Sequence, residues 1–341
     1  MKTIRHLLLL GLAALLPAAF SPTTLLAAKP DKPVKIGAAV YGLKGEFMKV
    51  WTLWLQQHPA VKSGEVKLTI FDGRYDLNVQ NDQFDTMIVQ QFDAILFVPI
   101  DLQGGAGAVA KAHAAGIPVI GSNGRVESPL LTSYVGSDDI IGGEMEAVSV
   151  FERMGGKGNI VVLEGPIGQS GQVERRKGIE KALAKYPDIK VLDWKTANWS
   201  RAEAISLMEN WLTAYPGKIH GVVGENDEMA LGAIQAIKIA GLDIADFPTA
   251  GIDGVADAIT AAERGEMVSI LQDAKTQAQG ALDVALRAVK GPSYKPQSDI
   301  WAFYGDKMPW NNGTDKYYNV PWTVISKENA AELRRRTTIS K

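Results

Sequence analysis

The chain has 341 residues, of which 46% are hydrophobic and 22% are charged, so it has enough apolar side chains for a sizeable core and is longer than most single domains. It contains no cysteine, which excludes a disulfide framework, thiol catalysis and the acylated thiol of a bacterial lipoprotein. The formal net charge is −2 and no long run of one sign occurs, so we expect no nucleic-acid partner.

Residues 1–28 have the three parts of a secretory signal peptide. Lys2 and Arg5 precede an apolar run, and Ala27 and Ala28 offer small residues for cleavage. The alternative is a membrane anchor, which needs about 20 uninterrupted apolar residues, whereas this run is shorter and contains a proline. We therefore expect an exported protein that is free in the periplasm, with a mature net charge of about −4 after the two basic residues are removed.

After a short leader rich in lysine and proline, apolar segments alternate with segments of helical length. Buried parallel strands are predicted where the apolar segments are bounded by Gly, Pro or Asp, at 35–40, 66–71, 94–98 and 118–121. The helices predicted between these strands cover 47–58, 78–91 and 103–115. Gly116 then follows the third helix at the position of a left-handed cap.

The same alternation is repeated in the second half of the chain. Its predicted strands are 159–165, 190–194, 221–224 and 249–253. Its predicted helices lie near 172–186, 201–215, 228–240 and 275–290. Two such blocks of about 110 to 130 residues predict an α/β protein with two doubly wound parallel-sheet lobes. The tail, 300–341, adds an aromatic-rich stretch, a short strand and a charged terminal helix.

The turns that follow the predicted strands hold the candidate functional residues, because ligands bind outside the carboxyl ends of open parallel sheets. One such turn opens the segment GENDEMALGA at 224–233, where Asn226 is well placed to cap the next helix. Its three carboxylates lack the alternating oxygen ligands and the distal glutamate of a calcium loop. We therefore predict no metal site there.

Enzyme motifs receive little support. The segment GAGAVA at 105–110 fits a dinucleotide-binding pattern, but it lies in the third strand–helix turn and no acidic residue closes the next strand. The G-x-S-x-G motif is missing, and His58, His113 and His220 are scattered. We predict no catalytic residue, cofactor or metal, and keep a Rossmann-type oxidoreductase as an alternative.

Several motifs occur in an order that resembles the periplasmic sugar-binding proteins of ABC importers, of the ribose-binding type. They are GIPVI at 116–120, ERRKGI at 174–179, NDEMALGA after a short strand, and TAGIDG at a strand end. The resemblance covers roughly 34–295. It implies a type I periplasmic binding protein fold with a hinge, a first lobe of 34–137 plus about 273–300, and a second lobe of 138–272 plus about 301–341.

The site that the resemblance implies suits a sugar, whose hydroxyls donate and accept hydrogen bonds and whose C–H faces pack on aromatic rings. The matching positions are Asp253 as hydroxyl acceptor, Asn226 and Gln272 as amides, Arg175 as a donor, and Trp199 and Phe47 as stacking aromatics.

Three positions depart from the family pattern in the first lobe. Tyr41 stands where a small polar residue is frequent, Asn123 and the following glycine replace a common Asp–Arg pair, and Met48 replaces a second aromatic. Arg125 is a candidate for the missing guanidinium, with a solvent-facing arginine as the alternative, and Asp101 ends a P-x-D motif. These changes argue against ribose itself. The predicted ligand-binding residues are Tyr41, Phe47, Met48, Asp101, Asn123, Arg125, Arg175, Trp199, Asn226, Asp253 and Gln272.

The sequence therefore predicts a monomeric binding protein and not an enzyme. We expect it to capture a neutral sugar or polyol between its lobes, to close by a hinge motion and to deliver the ligand to the membrane permease of an ABC transporter. Which sugar or polyol it binds stays open. A sugar-sensing protein that serves a chemoreceptor or a two-component sensor is an alternative. Regulators like the lac repressor share the fold, but they need a DNA-binding segment where this chain has the predicted signal peptide.

Overall fold

The computed structural model describes residues 32–337, so the predicted signal peptide lies outside the described residues. Within them, the strands are β1 (Val34–Val40), β2 (Val66–Asp72), β3 (Ala94–Val98), β4 (Val119–Ser122), β5 (Ser133–Gly136), β6 (Lys157–Glu164), β7 (Asp188–Thr196), β8 (Gly221–Gly224), β9 (Thr249–Asp253), β10 (Val268–Leu271), β11 (Tyr317–Asn319) and β12 (Thr323–Ile325).

The helices pack against the two sheets that these strands form. They are α1 (Glu46–Gln56), α2 (Pro59–Lys62), α3 (Leu77–Val89), α4 (Ala106–Ala114), α5 (Asp139–Arg153), α6 (Ser170–Lys185), α7 (Arg201–Ala214), α8 (Asp227–Ile239), α9 (Ala256–Glu263), α10 (Ala274–Lys290), α11 (Ile300–Tyr304) and α12 (Ala330–Thr337). Within residues 32–337, no helix combines the length and the hydropathy that a membrane crossing requires.

Each sheet has six strands. The first runs in the order β11–β5–β4–β3–β1–β2 with all neighbours parallel, and the second runs β12–β10–β9–β8–β6–β7 with only β12 antiparallel. Without their last strands, both follow the doubly wound order 2-1-3-4-5. The predicted α/β fold with two parallel-sheet lobes is therefore confirmed. We call the part built on the first sheet the first lobe and the part built on the second sheet the second lobe.

The central strands are buried on both faces, which explains their unbroken apolar runs. Every residue of β3 and of β9 is buried. Several helices begin at an N-cap residue whose side-chain oxygen accepts hydrogen bonds from the free backbone N–H groups of the first turn. Asp76 accepts from Asn78 N at 2.8 Å, and Asp138 accepts from Ile140 N at 3.0 Å.

Some elements differ from the sequence prediction. The sequence predicts neither the strands β5 and β10 nor the helices α5 and α9. The two strands have four residues each and α9 has eight, whereas α5 has 15 residues but contains two consecutive glycines in its first turns. The predicted helix 103–115 begins three residues later, at Ala106. The reason is a turn in which the Asp101 carboxylate accepts hydrogen bonds from Gln103 N at 2.8 Å and Gly104 N at 2.6 Å.

The tail is divided between the lobes, whereas the family resemblance implies that about 301–341 belongs to the second lobe. Residues such as Trp301 and Tyr318 are buried in the core of the first lobe, and β11 pairs with β5. Only β12 and α12 join the second lobe. The cause is a buried anchor, because Asp283 in α10 accepts hydrogen bonds from Tyr294 Oη at 2.6 Å and Trp301 Nε1 at 2.8 Å.

The chain crosses between the two sheets three times. It passes from β5 to α5, from β10 to α10, and from β11 to β12. The carboxyl ends of both sheets therefore face one region, which is where the fold places a ligand site.

Candidate functional site

A small cavity lies at the carboxyl ends of β1, β8 and β9, between the two lobes. Its volume is about 40 Å³, enough for a few water molecules. It is lined by Tyr41, Gly45, Glu46, Phe47, Tyr75, Asn123, Gly124, Asp139, Gln169, Gly171, Arg175, Trp199, Asn226, Asp253 and Gln272. Eight of the eleven residues predicted to bind ligand thus lie around one space, although they come from distant parts of the sequence.

Arg175, in α6, joins three parts of the site. Its Nε donates to Asp139 Oδ1 at 2.8 Å, one terminal nitrogen donates to the backbone oxygen of Glu225 at 2.5 Å, and the other donates to Gln272 Oε1 at 3.2 Å. Only 5% of Arg175 is exposed. Burial lowers the pKa of this guanidinium, but the carboxylates of Asp139 and Asp253 outweigh burial and raise the pKa above its ordinary value. Arg175 is therefore a fixed, permanently charged donor.

Asp253 is the last residue of β9 and has a φ of 137°, which is rare outside glycine. Within residues 32–337, its buried carboxylate accepts no hydrogen bond from another side chain or backbone group. Burial raises the pKa of Asp253 well above its ordinary value, and Arg175 offsets this only in part. Such a carboxyl group has its hydrogen-bonding capacity available for a ligand. Strained backbone of this kind is often found at functional sites.

Three amide side chains meet where the first lobe joins the β10–α10 crossing. Asn123 Nδ2 donates to Gln272 Oε1 at 3.1 Å and to Gln277 Oε1 at 3.3 Å. The Nε2 of Gln272 is buried and has no hydrogen-bond partner in the described part of the chain. An unpaired buried donor is costly, and this one lines the cavity, so it is available to a ligand oxygen.

Asn226 precedes α8 and combines two roles. Its Oδ1 accepts a hydrogen bond from Met229 N at 2.9 Å, as a helix cap does. Its side chain also lines the cavity, where its amide nitrogen makes no hydrogen bond to any described residue. The predicted cap is confirmed, and the free amide nitrogen has the capacity to donate to a ligand.

Two aromatic side chains line the cavity from opposite lobes. Phe47 is buried at the start of α1 in the first lobe. Trp199 in the second lobe has a φ of 57°, and its Nε1 donates to Gln169 Oε1 at 2.6 Å. A Cβ on Gly165 would lie 2.0 Å from the indole, so the glycine leaves the space that this ring occupies. The Arg175 guanidinium lies 5.5 Å from the ring centre.

Three predicted residues are not placed at the cavity. Met48 is fully buried in the core of the first lobe. Asp101 accepts hydrogen bonds within its own turn, as described above. Arg125 reaches the second lobe instead, where its Nε lies 3.6 Å from Glu174 Oε2 and its backbone N donates to Ser170 Oγ at 2.8 Å.

The structure also adds lining residues that the sequence analysis missed. Asp139 and Gln169 lie in turns that follow strands, so their positions gave a signal that could have found them. Tyr75 also follows a strand, β2, but its ring reaches the cavity through two consecutive left-handed residues, Arg74 and Tyr75, which no sequence pattern indicates.

More carboxylates lie behind the cavity in the second lobe. Glu225 Oε2 accepts from Gly165 N at 2.8 Å, and Asp227 Oδ2 accepts from Gly254 N at 2.7 Å. Glu146 is fully buried, and neither of its oxygens has a partner within residues 32–337. Burial, and then the charge of Glu225, raises the pKa of Glu146 well above its ordinary value. In the described part of the chain no group of three His, Cys, Asp or Glu side chains is arranged to hold a metal ion.

The arrangement offers directional hydrogen bonds and apolar ring faces. We find no group in it that is placed as a nucleophile with its base. It therefore suits capture of a polar solute between two lobes, a design found where domain closure surrounds a ligand.

Comparison with known proteins agrees with this geometry. Residues 40–293 match the family described as periplasmic binding protein domain. A xylitol-binding protein of Mycolicibacterium smegmatis is 42% identical over 69% of this chain and 67% of that protein. A ribose import binding protein of Bacillus subtilis is 32% identical over 76% of this chain and 83% of that protein.

Solved structures show the same relationship. An ABC transporter solute binding protein from Bacillus halodurans with bound myo-inositol is similar with a TM-score of 0.79 at 28% identity, over 90% of this chain and all of that one. A galactofuranose binding protein has a TM-score of 0.79 at 26% identity, and the match covers 89% of this chain and 98% of that one. The chain therefore belongs to the periplasmic binding protein family, and it is a periplasmic protein that captures a solute and not an enzyme.

Proposed function

We propose that this protein captures a neutral sugar or polyol in the cavity between its lobes and delivers it to the membrane permease of an ABC importer. The observation that carries the proposal is that eight predicted ligand-binding residues from both lobes line one cavity. The xylitol and ribose import relatives support the ligand class. Membership of a family of solute-binding proteins removes support from the oxidoreductase alternative.

The roles of the side chains follow from their hydrogen-bonding capacity. Asp253 accepts from or donates to ligand hydroxyls, because its carboxyl group is buried without a partner among the described residues. Gln272 Nε2 and the amide nitrogen of Asn226 donate to hydroxyl oxygens. Phe47 and Trp199 approach the C–H faces of the ligand from opposite lobes. These groups complete their contacts only when both lobes surround the ligand.

Closure of the lobes is supported by contacts between them. Leu102 N donates to the backbone oxygen of Gly168 at 3.2 Å, and Arg125 N donates to Ser170 Oγ at 2.8 Å. Because these contacts join loops of the two lobes and the cavity admits only a few waters, a ligand enters when the lobes separate. We infer that Arg125 acts in closing the cleft and not in touching the ligand.

Thermal unfolding of the mature protein in the presence of pentoses, hexoses and polyols tests the proposal. A ligand at 100 times its Kd stabilises the folded state by about 2.7 kcal/mol, which raises the melting temperature by roughly 4 °C for a protein of this size. We expect at least one sugar or polyol to give such a shift, and the absence of a shift from the whole panel would contradict the proposal.

Two matched variants locate the site. Asp253→Asn should weaken the ligand-induced shift, because it changes a carboxyl group at the cavity. Asp243→Asn makes the same chemical change in an exposed turn that does not line the cavity, and it should retain the shift, because asparagine also accepts the backbone hydrogen bond that Asp243 takes from Ala245 N at 3.0 Å. A loss of the shift in both variants would argue against the assigned cavity.

A further inference from the structure

We propose that a second cavity, beside the crossing from β10 to α10, binds a small amphipathic cation: a primary amine on an aromatic or short aliphatic body. Its volume is about 540 Å³, and sites for small molecules span roughly 300–1,000 Å³. It lies between α1 and α11 of the first lobe and the turn after β9 in the second lobe. We call it the crossing cavity. The inference goes beyond the proposed function, because the sugar or polyol was assigned to the other cavity.

The crossing cavity adjoins the ligand cavity described above. Glu46, Phe47, Asp253 and Gln272 line both of them. The two differ in size, because the ligand cavity has a volume of about 40 Å³ and has no room for an aromatic ring in this arrangement of the lobes. An occupant with a sizeable apolar body therefore fits the crossing cavity and not its neighbour.

Apolar side chains from both lobes form the walls of the crossing cavity. Phe47, Val50 and Trp54 line it from α1, and Val255 and Leu271 line it from the second lobe. Such walls remove an apolar body from water, which is favourable in proportion to the area covered. A polyol offers too little apolar surface to use them.

The rim of the crossing cavity carries two large apolar side chains that remain exposed. They are Leu53, which is 42% exposed, and Phe303, which is 57% exposed. Single exposed apolar residues are ordinary, but apolar side chains that meet beside a cavity mark a place of interaction. An aromatic or aliphatic body in the cavity would cover part of both side chains.

The charge of the lining calls for a cation. In the described part of the chain, the lining includes Glu46, Asp253, Asp273 and Asp299 but only one basic residue, Lys275. The base is already paired, because Lys275 Nζ lies 2.7 Å from Asp299 Oδ1. The remaining acids therefore give the cavity an excess of negative charge, which an anion would increase and a cation would reduce.

Two of these acids have little compensation. Asp273 accepts hydrogen bonds from uncharged donors, Thr276 N at 3.0 Å and Tyr304 Oη at 2.9 Å, and within residues 32–337 no cation pairs with it. Glu46 is exposed, and its Oε2 lies 3.5 Å from Lys49 Nζ. An exposed pair of this kind contributes little. An ammonium group in the cavity would therefore gain attraction that no described cation already supplies.

Asp253 provides an independent sign of a ligand. It is 6% exposed, it accepts no hydrogen bond from any described residue, and it lines the crossing cavity as well as the ligand cavity. A buried polar group without a partner is costly. A carboxyl oxygen accepts a hydrogen bond whether or not the group carries its proton, and a primary ammonium offers three N–H donors. An amine thus satisfies a group that the protein leaves unpaired.

Isothermal titration of the sugar-free mature protein with 2-phenylethylamine and with 2-phenylethanol tests the inference. The two probes share one body and differ in having an ammonium or a hydroxyl group. A site that is only apolar would prefer the alcohol, because a charged group is costlier to remove from water. We expect the amine to bind at least 5-fold more tightly than the alcohol.

One pair of variants tests the charge. Asp273→Asn removes a carboxylate and keeps the cap of α10, because asparagine caps a helix about as well as aspartate. It should reduce the preference for the amine at least 3-fold and leave the affinity for the alcohol unchanged. Asp243→Asn makes the same change at the cap of the turn Ile244–Asp246, which does not line the crossing cavity, and should keep the preference.

A second pair of variants tests the apolar body. Leu53→Ala shortens an exposed side chain at the rim and should weaken both probes at least 2-fold without changing their ratio. Ile239→Ala shortens a side chain that is 65% exposed at the end of α8 and does not line the cavity. It should leave both affinities unchanged.

Each of the other outcomes overturns the inference. They are a wild type that binds neither probe or prefers the alcohol, a preference that survives in Asp273→Asn or is lost in both aspartate variants, and wild-type affinities in Leu53→Ala. If Asp273→Asn does not fold, Glu46→Gln replaces it at an exposed position. Sugar binding without amine binding refutes the crossing cavity alone, whereas amine binding without sugar binding refutes the proposed function alone.

Discussion

The guanidinium of Arg175 and the carboxylate of Asp139 form an ion pair inside the second lobe, with 2.8 Å between Nε and Oδ1. The pair is not isolated, because Asp253, Glu146 and the hydrogen-bonded backbone of Glu225 also lie close to Arg175. One buried positive charge thus neutralises several acidic groups. Substitution of Arg175 and substitution of Asp139 should therefore change the stability of the protein by different amounts.

Arg175→Gln should destabilise the protein more than Asp139→Asn. The arginine variant leaves several buried carboxyl groups without their cation, and removing one partner of a buried pair costs about 3–5 kcal/mol. Asp139→Asn keeps a hydrogen-bond acceptor and leaves Arg175 with other acids nearby, so we expect a loss of about 1–2 kcal/mol. Urea unfolding of both variants measures the difference, and equal losses would contradict this account.

Asn226→Ser should separate the cap of α8 from ligand binding. Serine caps a helix about as well as asparagine, so the apo melting temperature should stay close to that of the wild type. The variant lacks the amide donor, and an unpaired buried group costs roughly 1–3 kcal/mol, so affinity should fall by that amount. Asp243→Ser, at the cap of the short 3-10 turn Ile244–Asp246 and not among the cavity residues, is the control and should keep full affinity. Wild-type affinity in Asn226→Ser would show that Asn226 is only a cap.

Trp199 should report the ligand by fluorescence. Trp199→Phe keeps an aromatic face and should bind, but it should lose much of the ligand-induced change in tryptophan emission. Trp199→Ala should weaken binding by roughly 1–3 kcal/mol, as expected for an aromatic contact. Trp211→Phe, in the core of the second lobe away from the cavity, should keep both the signal and the affinity. Unchanged affinity in Trp199→Ala would make Trp199 a packing residue.

Glu146→Met should stabilise the protein, and the gain should grow with pH. Glu146 is buried without a hydrogen-bond partner among residues 32–337, and its pKa is raised in the folded state. The Glu146 carboxyl group therefore holds its proton more tightly in the folded protein than in the unfolded chain, where a glutamate has a pKa of about 4.3. Wild-type stability consequently falls as pH rises from that value through the folded pKa.

The size of this effect is open to direct measurement. We expect Glu146→Met to add about 1–3 kcal/mol to the free energy of unfolding at pH 8, because an apolar side chain of similar length replaces an unpaired acid. The gain should be smaller at pH 5. Melting curves at the two pH values give the answer, and a gain that does not depend on pH would show that titration of Glu146 is not its source.

Most of the strands and helices, and the two-lobed class, were predictable because they depend on local patterns. The apolar runs of β3 and β9 and the intervening helical segments repeat along the chain, and such alternation has few compact solutions. The motif around Asn226 and the strand end at Asp253 also pointed to the site, since ligands bind at the carboxyl ends of parallel strands.

The composition of the site was decided by tertiary structure. Phe47 and Met48 are neighbours, but side chains in a helix diverge by about 100° per residue, and only Phe47 faces the cavity. Arg125 is directed to Glu174 in the helix α6 of the other lobe, and Tyr75 enters through a left-handed turn that no periodic pattern encodes. Sequence periodicity therefore determined which faces are buried, while the choice of side chains at the cavity depended on contacts between segments far apart in the chain.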